Sequence, residues 1–130
     1  MKIYSSYFAN RDLPTWWVPV SIARYPQRYF KGKRFLTLAP EKHTLKWVWS
    51  DFRAAYLEKL DKLDPNAVLK QLDELSGGKD IILIGYGKSP DRDTRGIIAN
   101  WIFEKTGTVV TELETEDPYD GFGIQMTSEF

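Results

Sequence analysis

At 130 residues, 42% hydrophobic and 15% aromatic, the chain is long enough for one compact domain with a buried core and too apolar for disorder over most of its length. Eighteen Lys and Arg balance eighteen Asp and Glu, so the net charge gives no argument for nucleic acid. The absence of cysteine excludes disulfides, thiol nucleophiles and cysteine metal sites.

The first residues, Met1-Lys-Ile-Tyr-Ser-Ser, lack the apolar core of a signal peptide, and no stretch approaches membrane-spanning length. A cytoplasmic protein that does not engage a membrane is expected. Lys2 to Phe8 alternates and is aromatic enough for a first strand. Asn10 to Pro14 reads as a turn, and Trp16 to Ala23 as a second strand in which Pro19 implies an edge or irregular position. Arg24 to Pro40, rich in Tyr, Lys, Gly and Pro, reads as a long ordered loop, a kind that often carries function.

Helices come next. Ser50 is the expected N-cap for Asp51 to Leu63, where Phe52, Ala55, Tyr56 and Leu60 recur at helical spacing. Asp64-Pro65 is a cap followed by proline at the first helical position, with Val68, Leu69, Leu72 and Leu75 as an apolar stripe. Gly77-Gly78 ends that helix. Ile81 to Ile84 is too apolar for a half-exposed strand and suits a central parallel one. Either Ser89 or Asp93 caps the last helix, which buries Ile97, Ile98, Trp101 and Ile102 and stops at Gly107. Thr108 to Leu113 is a further short strand. The order β, β, helices, β, α, β predicts a single-domain α/β sandwich with a small, mainly parallel sheet flanked by helices. Residues 1–130 form that one domain, and 114–130 read as an acidic, partly ordered tail.

The charges are unevenly placed. Arg24, Arg28, Lys31, Lys33, Arg34, Lys42 and Lys46 face only Glu41 in their stretch, while Glu112, Glu114, Glu116, Asp117 and Asp120 load the C-terminal part. A basic segment beside a sheet suits an anionic ligand, and a solvated loop balanced by an acidic tail is the plainer alternative.

The most informative stretch runs from Ile81 to Arg95: a strand, a glycine-bearing turn and a helix start. Open α/β sheets hold ligands at such junctions. Gly85-Tyr86-Gly87-Lys88-Ser89 nevertheless fails the phosphate-loop pattern, which needs a glycine at Ile82. It also fails the dinucleotide fingerprint, whose third glycine falls on Pro90. What survives is physical: two glycines that permit close approach, the Lys88 cation, and helix N–H groups beyond. Arg95 can aim a bidentate fork at an anion in the turn or form a structural pair with an acidic neighbour. Arg24 closes the second strand on the same sheet edge, and Tyr7, Tyr25 and Tyr86 offer rings for stacking.

No catalytic constellation appears. Asp91 and Asp93 could hold magnesium, but acidic residues belong in a first helical turn anyway. His43 is the only histidine and lacks a partner by spacing. No metal or cofactor is expected.

Five segments, Met1 to Phe8, Ser21 to Pro26, Leu38-Ala-Pro40, Leu75 to Lys79 and Ile81 to Gly107, together resemble the domain of unknown function 488 family (DUF 488) across nearly the whole chain. Members typically carry a cysteine after the central strand and a Cys-His-Arg at the next helix start. Here those positions are Gly85 and Asp93-Thr94-Arg95, so only the arginine remains. The resemblance implies handling of nucleotide or NAD-derived molecules. The divergence implies a form that resembles phage-encoded versions and does not share the chemistry of the thiol and imidazole.

The reading favours a non-catalytic domain that binds a small anionic, nucleotide-derived ligand through Gly85, Tyr86, Gly87, Lys88, Arg95, Arg24 and Tyr7. One alternative is a hydrolase or transferase acting on such a molecule with Asp93 or Asp91 as general base or metal ligand. Another is an interaction module for a host enzyme or a second copy of the chain, anchored by Trp16, Trp17, Trp47 and Trp49. Nucleic acid is the least favoured partner.

Overall fold

Strong local signals set the regular elements. The structure, a computed structural model, describes residues 1–10 and 13–113. Five strands, β1 (Ile3–Tyr7), β2 (Val18–Ser21), β3 (Lys33–Arg34), β4 (Ile81–Gly85) and β5 (Val110–Glu112), form one sheet in the order β3-β2-β4-β1-β5. Every pairing is parallel. β4 lies between β2 and β1 with all five residues buried, as its unbroken Ile-Ile-Leu-Ile run requires of a strand covered on both faces.

Three helices accompany the sheet: α1 (Trp49–Asp61), α2 (Pro65–Ser76) and α3 (Thr94–Thr106). α2 is bounded as its sequence dictates. The Asp64 side chain accepts from the N–H groups of Asn66 and Ala67, Pro65 occupies the first turn, and Gly77 closes the helix at φ 66°. Gly107 ends α3 in the same left-handed conformation.

Successive residues of a strand point to opposite faces, and the core follows that alternation. Ile3, Val20, Ile81 and Leu83 pack with Tyr56 and Leu60 of α1, Val68 and Leu72 of α2, and Ile98, Trp101 and Ile102 of α3. Ser6, Ser21, Ile82 and Ile84 are buried on the other face. The helices therefore share one face. Connection handedness explains why: β1 to β2 and β2 to β3 step one way across the sheet, whereas β3 to β4 and β4 to β5 step the other way. Right-handed crossovers then put residues 8–10, 13–17 and 22–32 over the second face. Contacts there agree. Trp17 stacks on Tyr4 at 4.1 Å, Phe8 packs against Phe30 at 5.3 Å, and Asn10 Nδ2 donates to Ser6 Oγ at 2.8 Å.

Several expectations need correction. The stretch Arg24 to Pro40 contains β3 and a short 3-10 turn, Leu36–Leu38, so it is not wholly a loop. Pro19 sits in an interior strand. The N–H of Val18 and of Ile22 reach β4 carbonyls or their neighbours (Asp80 O and Ile84 O), so the Pro19 nitrogen faces the β3 side, where β3 pairs only Val20 and Ser21. No ladder bond is lost there. α1 begins at Trp49 with Val48 at its cap, and Ser50 lies inside its first turn. The two candidate caps before α3 serve different turns. The Ser89 hydroxyl accepts from Asp91 N in a 3-10 turn, Pro90–Arg92, and Asp93 precedes α3 without capping it by its side chain. The acidic tail expected over 114–130 lies outside the described residues. Among the described residues no helix is long and apolar enough to cross a membrane.

Candidate functional site

β2 and β4 are neighbours, yet the chain leaves them in opposite directions. After β2 it moves outward to β3, and after β4 it crosses β1 to reach β5. Loops that part in this way open a crevice at the carboxyl ends of the strands, where open α/β sheets take ligands. A cleft of about 550 Å³ lies there. Ala23, Arg24 and Tyr25 line it after β2, and Gly85, Tyr86 and Gly87 after β4. Arg92, Asp93 and Thr94 lead into α3, and Trp47, Trp49 and Phe52 form the facing wall.

The walls are braced from behind. Tyr86 Oη donates to Tyr25 O at 2.6 Å, tying the two loops together across the crevice. Arg24 Nε donates to Pro40 O at 3.0 Å, and Tyr56 Oη to Leu38 O at 2.5 Å. Lys59 Nζ donates to Ala39 O and to Glu41 Oε1. These bonds hold residues 36–41 between β2 and α1, which delivers Trp47 and Trp49 to the mouth of the cleft. The Lys59 hydrogen bond, its charge and that of Arg24 keep the Glu41 carboxyl below its ordinary pKa, against a smaller opposing effect of burial. Burial, with the nearby Asp93 charge, pushes the Tyr56 phenol well above its own.

Beneath the cleft lies a buried ionic network. Arg95 is fully buried, and all five of its N–H donors are used. Nε donates to Glu112 Oε1 at 2.9 Å. Nη1 donates to Gly87 O and to Asp93 Oδ2, the latter at 2.6 Å. Nη2 donates to Lys88 O and Glu112 Oε2, both at 2.9 Å. Burial alone would lower the pKa of this guanidinium. The hydrogen bond and charge of Glu112, with those of Asp93, outweigh it and raise the pKa. Asp93 also explains the first glycine of the turn: a Cβ at Gly85 would overlap Asp93 Oδ2, and one at Gly87 would lie 3.1 Å from Asp93 Cβ.

Of the residues singled out in the sequence, Gly85, Tyr86, Gly87 and Arg24 line the cleft. Arg95 does not. Its fork is closed on Glu112 and on loop carbonyls, so it shapes the turn and has no donor left for a ligand. Tyr7 is buried with its ring centroid 5.7 Å from the Arg95 guanidinium carbon, and does not line the cleft. Lys88 contributes its carbonyl to Arg95, and its side chain is not part of the cleft wall. Asp93 sits on the floor, paired with Arg95. Among the described residues no group of three His, Asp or Glu side chains could hold a metal ion.

The facing wall was not legible as such. Trp47 and Trp49 read as interface or core residues and Phe52 as part of a helical stripe, while Arg92 and Thr94 carried no signal beyond lying between Asp91 and Arg95. The close spacing of Trp47, Trp49 and Phe52 after a basic loop is the one pattern that could have marked them. No family model, curated protein or solved structure matches the chain.

Proposed function

We propose that the protein binds a small anionic, nucleotide-derived ligand in the cleft between the ends of β2 and β4, and does so without transforming it. The observation that carries this reading is the pairing of ring faces with cations at a switch point of the sheet. Tyr25, Trp47 and Tyr86 are exposed at the cleft, and Arg92 is exposed beside them, its side chain making no hydrogen bond or ion pair among the described residues. Stacking of a base on an aromatic side chain contributes about 1–3 kcal/mol, and an arginine adds a phosphate or carboxylate contact. The resemblance to DUF 488 supports the same ligand class. Asp93, the candidate base of the catalytic alternative, is engaged by Arg95, which favours binding over turnover.

Titration calorimetry and tryptophan fluorescence with adenosine 5′-monophosphate, ADP-ribose and NAD test the proposal. Saturable binding is expected with at least one of them. At one hundred times the dissociation constant it should raise stability by about 2.7 kcal/mol. Trp47→Ala and Arg92→Ala should each weaken that binding about tenfold or more. Absence of binding by all three ligands would overturn the reading.

A further inference from the structure

The floor of the cleft has a charge character opposite to its rim. Arg95 brings one positive charge to Asp93 and Glu112, which bring two negative ones, so the network holds an excess of one negative charge. Asp93 lines the cleft, its side chain is nine-tenths buried, and its Oδ2 accepts from Arg95. No other hydrogen bond reaches this carboxylate among the described residues, which leaves Oδ1 as an acceptor. A carboxylate oxygen in a mostly apolar cleft is costly without a donor, so a ligand that expels water from the floor must bring an O–H or N–H.

The same excess charge keeps a phosphate away from the floor and leaves it to Arg92 and Arg24. A flat ring belongs against Trp47 and Tyr86. The part of a nucleotide that joins the ring to the phosphate is the sugar, and a ribose carries hydroxyl donors of the kind that carboxylates accept in dinucleotide sites. Resting on the cleft-binding reading above, we propose that Asp93 is a specificity-determining residue that accepts a ribose hydroxyl through Oδ1, so that the cleft selects ribonucleotides over deoxyribonucleotides.

Calorimetric titration of the full chain with adenosine 5′-monophosphate and its 2′-deoxy and 3′-deoxy analogues tests this. At least one analogue is expected to bind about tenfold or more weakly than the parent, the loss of one hydrogen bond to a charged acceptor. In Asp93→Asn, checked for folding by circular dichroism, the three should converge to within about twofold. If both analogues bind wild-type protein within about twofold of the parent, the inference fails while the cleft reading stands. Binding by none of the three removes the cleft reading for this class of ligand, and the inference with it. Retention of the discrimination in Asp93→Asn overturns the assignment to Asp93. Should that variant not fold, the analogue series on wild-type protein decides alone.

Discussion

Arg95 and Glu112, seventeen residues apart, meet as a two-point pair: Nε lies 2.9 Å from Oε1 and Nη2 2.9 Å from Oε2. The contact joins the first turn of α3 to the last residue of β5. Ser5 Oγ donates to the same carboxylate at 2.7 Å, which brings in β1, and the bonds from Arg95 to Gly87 O and Lys88 O bring in the cleft loop. An edge strand and a cleft-lining turn are thus held by one guanidinium.

Removing Arg95 would leave Asp93 and two loop carbonyls without their donor and Glu112 without its counter-charge. Arg95→Ala should cost roughly 3–5 kcal/mol, the range for breaking one side of a buried pair. Arg95→Lys restores the charge but not the planar fork, so it should recover only a minor part of that loss. Urea denaturation checks both. A lysine variant within about 0.5 kcal/mol of wild type would show that charge alone suffices.

Gly85 is small because Asp93 lies over it. Gly85→Ala should cost about 1–3 kcal/mol by overpacking, since the methyl needs the space of Asp93 Oδ2. The cause is separable by a double-mutant cycle. In an Asp93→Ala background the overlap is gone, so the cost of Gly85→Ala should shrink and the coupling should reach about 1 kcal/mol. Additive behaviour within about 0.5 kcal/mol would mean that Gly85 serves some other need.

The elements readable from the sequence are those whose boundaries are local. α2 lies between Asp64-Pro65 and Gly77, α3 stops at Gly107, and β4 announces itself by four consecutive apolar residues. β3 could not be read, because exposed Lys33 and Arg34 become a strand only through pairing with Val20 and Ser21. The candidate site divides along the same line. The glycine turn is local and was legible. The commitment of Arg95 was not, because it depends on Glu112 beyond α3, and the Trp47–Phe52 wall depends on where β3 and the 3-10 turn after it leave the chain. The aromatic wall and the closed arginine are both products of tertiary placement.

Tyr56 predicts a specific alkaline weakness. Burial and the charge of Asp93 keep its phenol protonated well above the ordinary value of 10.0. The unfolded chain releases that proton near the ordinary value, so the folded state binds more protons above it. Stability is therefore fully present below that pH and falls as pH rises beyond it. Tyr56→Phe removes this titration, at a cost of about 1 kcal/mol near neutral pH for the bond to Leu38 O. Denaturation at about pH 8 and about pH 11 should show a smaller alkaline loss in the variant than in wild type. Parallel losses in the two proteins would assign the alkaline sensitivity to other groups.

Tyr86 has two separable duties, and each has its own variant. Its hydroxyl ties the β4 loop to Tyr25 O at 2.6 Å, and its ring packs on Phe8 at 4.6 Å while facing the cleft. Tyr86→Phe keeps the ring and gives up an exposed hydrogen bond, so stability should change by less than about 1 kcal/mol and nucleotide affinity by less than about tenfold. Tyr86→Ala removes the wall itself and should weaken nucleotide binding about tenfold or more. Calorimetry on both variants separates the roles. Equal losses in the two would place the contribution in the hydroxyl bridge. A loss in neither would remove Tyr86 from the binding surface and leave Trp47 and Tyr25 as the ring contacts.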